Sequence, residues 1–340
     1  MLKKIKKPST GTVLRYLFAA GALIWVFYDI KPGQFIGELS RIKWGLVVIA
    51  VVFDILSYIC QGIRWEFLIR PLGKLSWIKT TQAIYAGLFT NEILPMRFGE
   101  FVRIYLAARW LNTGFASVIP SLAVERLFDG IWLALAVGMI ALLVPLPVGL
   151  LDAADIFGAV VIILTGLFIF VIFKKRKTAD ENSGKRAPKF RLFRLISKFT
   201  ENLVSGIKDI GITGNFYASL TVSPLILVMQ ALAFWFTMLA YDINLSFWAG
   251  AAAFIIVHFG TAIPNAPSNI GSYQLFTVLG LTIFGVEKTT AAGFSVAVFI
   301  ILTIPLWIIG LLAINQTGLS LNDIRADINK LLAKIREKDD

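Results

Sequence analysis

Eighteen residues from Ile156 to Phe173 carry no ionisable side chain, and the block Lys174-Lys175-Arg176-Lys177 stops them. A run of this length is what a bilayer core of about 30 Å requires of a helix. Inside hydrocarbon every backbone N–H and C=O must be paired within the protein, which leaves helices and closed barrels. The run shows no period-two alternation, so it reads as a helix. The rest of the chain repeats the theme. Of 340 residues, 57% are hydrophobic, against about 45–50% apolar in soluble domains. The sequence therefore demands an all-α integral membrane protein.

Other apolar segments lie at Val13–Ile30, Trp44–Ile63, Ala116–Val144, Phe216–Tyr241 and Thr289–Ile314. Together with Ile156–Phe173 they make about six transmembrane helices. No small-residue cleavage site follows the first, so it reads as a retained span rather than a signal peptide. Basic residues gather at Lys3–Lys7, at Arg64, Arg70, Lys74 and Lys79, and at Lys174–Lys198, while 146–153 holds none. Basic loops stay on the cytoplasmic side. Both termini and residues 174–215 are therefore expected in the cytoplasm, with the spans in the inner membrane. The formal charge of +12 serves topology, because its blocks flank apolar spans, and nucleic acid is excluded as a partner. Phe193, Ile196, Phe199, Leu203 and Ile207 recur at helical spacing with Arg191, Arg194 and Lys198 between them. That pattern predicts an interfacial helix within 174–215. Leu321, Ile324, Ile328, Leu331 and Ile335 predict a C-terminal amphipathic helix over 319–337.

Two segments do not fit a plain series of crossings. Trp77–Leu94 is mostly apolar but stops at Pro95, and Phe98–Leu111 carries Glu100, Arg103 and Arg109. Phe247–Ile263 and Ser268–Phe284 flank a second break at Pro267. The breaks echo each other: Pro95-x-x-x-Gly99-Glu100-Phe101 beside Pro267-x-x-x-Gly271-Ser272-Tyr273, with Gly87 and Gly260 about two turns back. Proline ends a helix and glycine allows a sharp turn. Each segment reads as a re-entrant helix pair, although a full crossing pair also satisfies the pattern. Residues 44–145 then run as an inward span, a pair dipping from inside and an outward span, and 216–314 run in the opposite sense. That is an inverted repeat, which places a binding site at the junction of its broken helices. Residues 1–340 form one polytopic domain.

Ionisable groups inside such segments cost about 2.5–3.5 kcal/mol each on insertion scales and are functional by default. Here they are Arg64, Arg97, Glu100, Arg103, Glu125, Arg126 and Asp129. Arginine forks match phosphate oxygens, and carboxylates orient them, so the set reads as an anion site. The alternative is an internal ion network that lets the helices sit in lipid. The second break offers Asn265, Ser268, Asn269, Ser272 and Gln274, which suit hydroxyl or phosphate-ester groups or simply cap broken backbone. Pro95, Gly99, Pro267 and Gly271 would shape the cavity. Asp54 is a further carboxyl within a span and would face the bundle. His258 is either a packed histidine or a proton carrier. The chain contains no HExxH, CxxC, GxSxG or P-loop pattern. With one histidine and one cysteine, Cys60, neither a metal nor another cofactor is expected.

At these residues the chain resembles the flippase-like transmembrane domain of the lysylphosphatidylglycerol synthases, the multiple peptide resistance factors. The likeness rests on Arg64-Trp65, Leu94-Pro95-x-x-x-Gly99-Glu100-x-x-Arg103, Glu125-Arg126-Leu127-x-Asp129 and Pro264-x-x-Pro267-x-x-Ile270-Gly271. It implies a domain that moves lipids or lipid-linked sugars between leaflets, here as a stand-alone member without the synthase. The chain departs from the family in having Met96 and Ser268 where glycine is usual, and Gln274 where many members carry glutamate. The expected partners are membrane lipids, anionic or phosphate-bearing. The expected function is translocation of an anionic phospholipid or a polyprenyl-phosphate-linked lipid. A membrane glycosyl or phosphoryl transferase using Glu100 or Asp129 as base is the alternative.

Overall fold

The computed structural model describes residues 10–28, 30, 33, 37, 42–94, 98–146, 148–173, 201, 203–262 and 266–318. Among them the regular structure is helical throughout: α1 (Thr10–Phe27), α2 (Trp44–Ile69), α3 (Trp77–Ile93), α4 (Gly99–Leu111), α5 (Phe115–Leu143), α6 (Val148–Phe173), α7 (Gly214–Ala240), α8 (Phe247–Ala262), α9 (Ser272–Thr282) and α10 (Lys288–Thr317). Residues 203–210 are also helical. Among the described residues five helices are long and apolar enough to cross a membrane, namely α2, α5, α6, α7 and α10. The sixth expected span, α1, has 18 residues, or about 27 Å of helix.

Local chemistry sets the ends. Ser76 Oγ accepts from the Lys79 N–H at the start of α3, and Thr213 Oγ1 accepts from the Phe216 N–H at the start of α7. These satisfy N–H groups that the first helical turn cannot. Leu94, the residue before Pro95, is extended at φ −105°, ψ 138°, as proline imposes on its predecessor. Two boundaries depart from the sequence reading. The helix expected from Ile156 starts at Val148, directly after Pro147. The second helix of the second pair starts at Ser272 rather than Ser268, because Pro267–Asn269 form a 3-10 turn in which Ser268 and Asn269 have φ of +57° and +53°.

The packing has a pattern that survives exchange of the two halves. α2 lies along α7. Each helix pair, α3 with α4 and α8 with α9, packs against itself and, through its first member, against the preceding span of its own half. Each half's last span crosses to the other half's pair: α10 lies on α3, and α5 on α8. α6 sits outside on α5, and α1 lies on α9. The end of the 203–210 segment packs on α5 at Pro120. The remainder of the predicted interfacial helix and the C-terminal helix at 319–337 lie outside the described residues.

The α3–α4 hairpin is closed by two glycines. A Cβ on Gly99 would overlap the Gly87 carbonyl oxygen, so any side chain there forces the helices apart. In the other half Gly260 meets the Phe276 ring of α9 in the same way. The glycines two turns before each break are therefore the contact points of each hairpin.

Candidate functional site

The Gly99 N–H donates to Asn91 Oδ1 at 2.7 Å, which folds α4 back on the end of α3. One turn on, Arg103 reaches Glu125 of α5 through both terminal nitrogens. Its guanidinium also lies 4.2 Å from the centre of the Trp65 ring. Glu125 accepts a second arginine, Arg64 of α2, at 3.0 Å. Arg64 continues to Asp129 and to Ser223 Oγ at 3.4 Å. Asp129 pairs with Arg126 at 3.1 Å, and Arg126 with Glu100 at 2.7 Å. Six side chains from three helices thus form one alternating line: Glu100, Arg126, Asp129, Arg64, Glu125, Arg103. Its charges sum to zero.

The line runs from a dry end to a wet end. The side chains of Glu125, Arg64 and Arg103 are 1%, 2% and 6% exposed, whereas Asp129, Glu100 and Arg126 are 33%, 32% and 51% exposed. Buried charges of this kind are tolerated only when paired. The Nε donors of Arg64 and Arg103 are buried without a partner. The network expected as a structural alternative is therefore present at the dry end, and it ends in an accessible arginine at the other.

That accessible end opens into a cavity of about 370 Å³. Glu100, Arg103, Arg126, Asn91 and Glu92 line it from the first half, and His258, Thr261, Ser268 and Asn269 from the second. Gln61 and Gln230 close it from α2 and α7. The volume lies within the range of about 300–1,000 Å³ common for ligand sites. The two breaks meet here, because Ser268 Oγ donates to the Glu92 carbonyl at 3.0 Å. The Glu92 carboxylate accepts from Trp307 Nε1 of α10 at 3.3 Å.

The structure brings together Arg64, Glu100, Arg103, Glu125, Arg126 and Asp129, with Asn269 across the cavity. Gln274 does something else: its Oε1 accepts from the Gly271 N–H at 2.8 Å, and the side chain is 5% exposed. It caps α9. Gly271 has φ +89°, and a Cβ there would meet the Ala19 backbone of α1, so glycine is required. Pro267 forms the 3-10 turn. Arg97, Pro95 and Asn265 lie outside the described residues. The sequence reading did not single out Glu92, Gln61 or Gln230. A polar stripe at Asp54, Tyr58 and Gln61, on helical spacing within an apolar span, is the signal that points to Gln61.

Two known proteins are similar to this chain. The UPF0104 membrane protein of Methanothermobacter thermautotrophicus is 24% identical over 300 residues, covering 83% of this chain and 85% of that protein. Glycosyltransferase AglD of Haloferax volcanii is 31% identical over 140 residues, covering 40% of this chain and 22% of that protein. The four motifs that line or support the cavity fall within residues 12–310, which match the lysylphosphatidylglycerol synthase TM region, and the chain belongs to that family.

Proposed function

We propose that the protein translocates an anionic phospholipid or a polyprenyl-phosphate-linked lipid between leaflets, using the central cavity as the headgroup site. The observation that carries this reading is the position of Arg126. It is half exposed at the wet end of a charge-balanced line, in a cavity built by both halves of the fold. A phosphate can displace Glu100 from Arg126, while Arg103, held by Glu125, lines the same cavity. Asn269 and Ser268 offer polar groups on the facing wall. Arg97 stands in sequence between Leu94 and Gly99, which both line the cavity. The expected cytoplasmic placement of the termini belongs to the same reading.

The test is reconstitution into liposomes with a fluorescent phosphatidylglycerol or a polyprenyl-phosphate sugar in one leaflet. Leaflet exchange above that of empty liposomes is expected. Arg126→Gln should lower it about tenfold or more, since a hydrogen bond to a charged group is worth about 1.5–3 kcal/mol. Unchanged exchange in a folded Arg126→Gln protein would remove the site assignment.

A second reading is a transferase acting on a lipid-linked substrate. Its support is the likeness to a protein named as a glycosyltransferase. Glu100, which lines the cavity, and Asp129, one third exposed, are carboxylates that could act as base. Lipid recovered with altered mass would establish this reading, because translocation leaves mass unchanged.

A further inference from the structure

Asp54 sits within α2, ten residues before Arg64, or about 15 Å along the helix. It is 5% exposed. The other deeply buried acid, Glu125, is held by two arginines. Among the described residues the Asp54 carboxylate has no cation and no hydrogen-bond donor; only its backbone carbonyl is engaged, by Ser57 Oγ at 2.7 Å.

The ionisable groups within electrostatic reach of Asp54 are tyrosines. Tyr58 follows one turn later on α2, Tyr85 comes from α3 and Tyr273 from α9, all within electrostatic reach. Glu92 of α3 lies within reach of Tyr58 in turn. α7, packed along α2, presents no ionisable side chain between Ala218 and Ala240, and α10 presents none after Lys288. The charges of α5 are Glu125, Arg126 and Asp129, and all are engaged around Arg64. The Tyr85 hydroxyl is buried without a partner. Its ring stands edge-on to Tyr58 at 5.4 Å, and Tyr58 lines the cavity.

An ionised carboxylate buried with neither cation nor donor is among the costliest groups a protein can hold, and the neutral acid escapes most of that cost. A carboxyl so placed, one turn along α2 from Tyr58 of the cavity wall, has the parts of a proton site. We infer that Asp54 is a proton-exchange site that couples movement of the cavity's ligand to a proton gradient. In each cycle the carboxylate takes one proton from water reaching it from the cavity side, and its charge goes from −1 to zero. The same proton returns to water when the cavity opens to the other side. The exchange itself stands apart from the translocation reading; the coupling rests on it.

Two measurements separate these parts. The first is infrared difference spectroscopy of the full-length protein in liposomes across a pH titration. A protonated-carboxyl band is expected that disappears in Asp54→Asn, persists in Asp54→Glu and shifts in Tyr85→Phe. A band unchanged in folded Asp54→Asn, or wild-type spectra that show no protonated carboxyl above the ordinary carboxylate range, would overturn the proposal. Should Asp54→Asn not fold, the shift in Tyr85→Phe decides the same point, and its absence counts against Asp54. The second measurement imposes a pH gradient on liposomes with fluorescent phosphatidylglycerol. Wild type should accumulate the probe in one leaflet according to the gradient's direction, and Asp54→Asn should equilibrate it regardless of gradient. Wild-type exchange that ignores a pH gradient, or follows a sodium gradient instead, would overturn the coupling. Absence of any wild-type exchange, with the Asp54 band intact, would defeat the translocation reading and the coupling and leave the proton site standing.

Discussion

Ser268 Oγ lies 3.0 Å from the carbonyl oxygen of Glu92, 176 residues away in sequence. This one hydrogen bond ties the second break to the first. Ser268 reaches it from a left-handed backbone, φ +57°, which costs a residue with a Cβ about 1–2 kcal/mol. Glycine at this position would relieve that strain and give up the bond.

The two effects can be separated. Ser268→Gly should change stability little, because relief of strain offsets a bond worth about 0.5–1.5 kcal/mol. Ser268→Ala keeps the strain and loses the bond, and should be less stable by about 1 kcal/mol. Ser268→Val should be the worst, since branching at Cβ is poorly tolerated at positive φ. Thermal unfolding in detergent checks the order Gly, Ala, Val. A valine variant as stable as the glycine variant would contradict the conformation assigned to this turn.

The charged line predicts a gradient of mutational cost. Glu125→Gln leaves two buried arginines short of a partner and should cost about 3–5 kcal/mol or prevent assembly. Arg126→Gln acts at the half-exposed end and should cost about 0–1 kcal/mol. Replacing Arg103 with Met in the Glu125→Gln background should recover part of the loss, because an orphaned charge is removed. Chemical denaturation of the four proteins measures this. Equal costs at both ends would mean that the line is uniformly dry or uniformly wet.

The hairpin glycines predict steric failure at one site and none at another. Gly99→Ala drives a methyl group into the Gly87 carbonyl oxygen. It should destabilise by at least the roughly 1–3 kcal/mol of an overpacked core. Gly138, in α5, has open space where a methyl group would stand, with nothing within 4 Å. Gly138→Ala should be neutral or stabilising by about 0.5–1 kcal/mol through helix propensity. Thermal stability of the two proteins side by side is the check.

Topology follows from the basic clusters. In a Cys60→Ser background, Ser183→Cys and Leu150→Cys should be labelled by an impermeant thiol reagent from opposite sides of the membrane. Labelling of both from one side would mean that α6 does not cross the membrane. It would also remove the inverted relation of 44–145 to 216–314, which requires the two breaks to be entered from opposite leaflets.

The class of the protein was legible in Ile156–Phe173 alone, because hydrocarbon leaves a charge-free run of that length little choice but a helix. The ends of α3 and α4 were legible too: Pro95 and Gly99 act on their own backbone, whatever packs around them. So was the need of Arg103, Glu125 and Asp129 for one another, since no buried ion can stand alone at such cost. Which ion takes which partner was decided by tertiary structure. Arg64 is the centre of the line only because α2 passes beside α5, and nothing local to Arg64-Trp65 encodes that. Gln274 shows the converse. As a polar residue near a break it reads equally as a ligand or a cap, and only the position of the Gly271 N–H makes it a cap. Glu92 became a cavity residue when α10 and the Pro267 turn closed on it. Local sequence determines where a chain can be helical, apolar or broken, because those preferences act through neighbouring residues. Partners hundreds of residues apart are chosen by how the helices pack, and that is where the cavity, its accessible arginine and the isolation of Asp54 were settled.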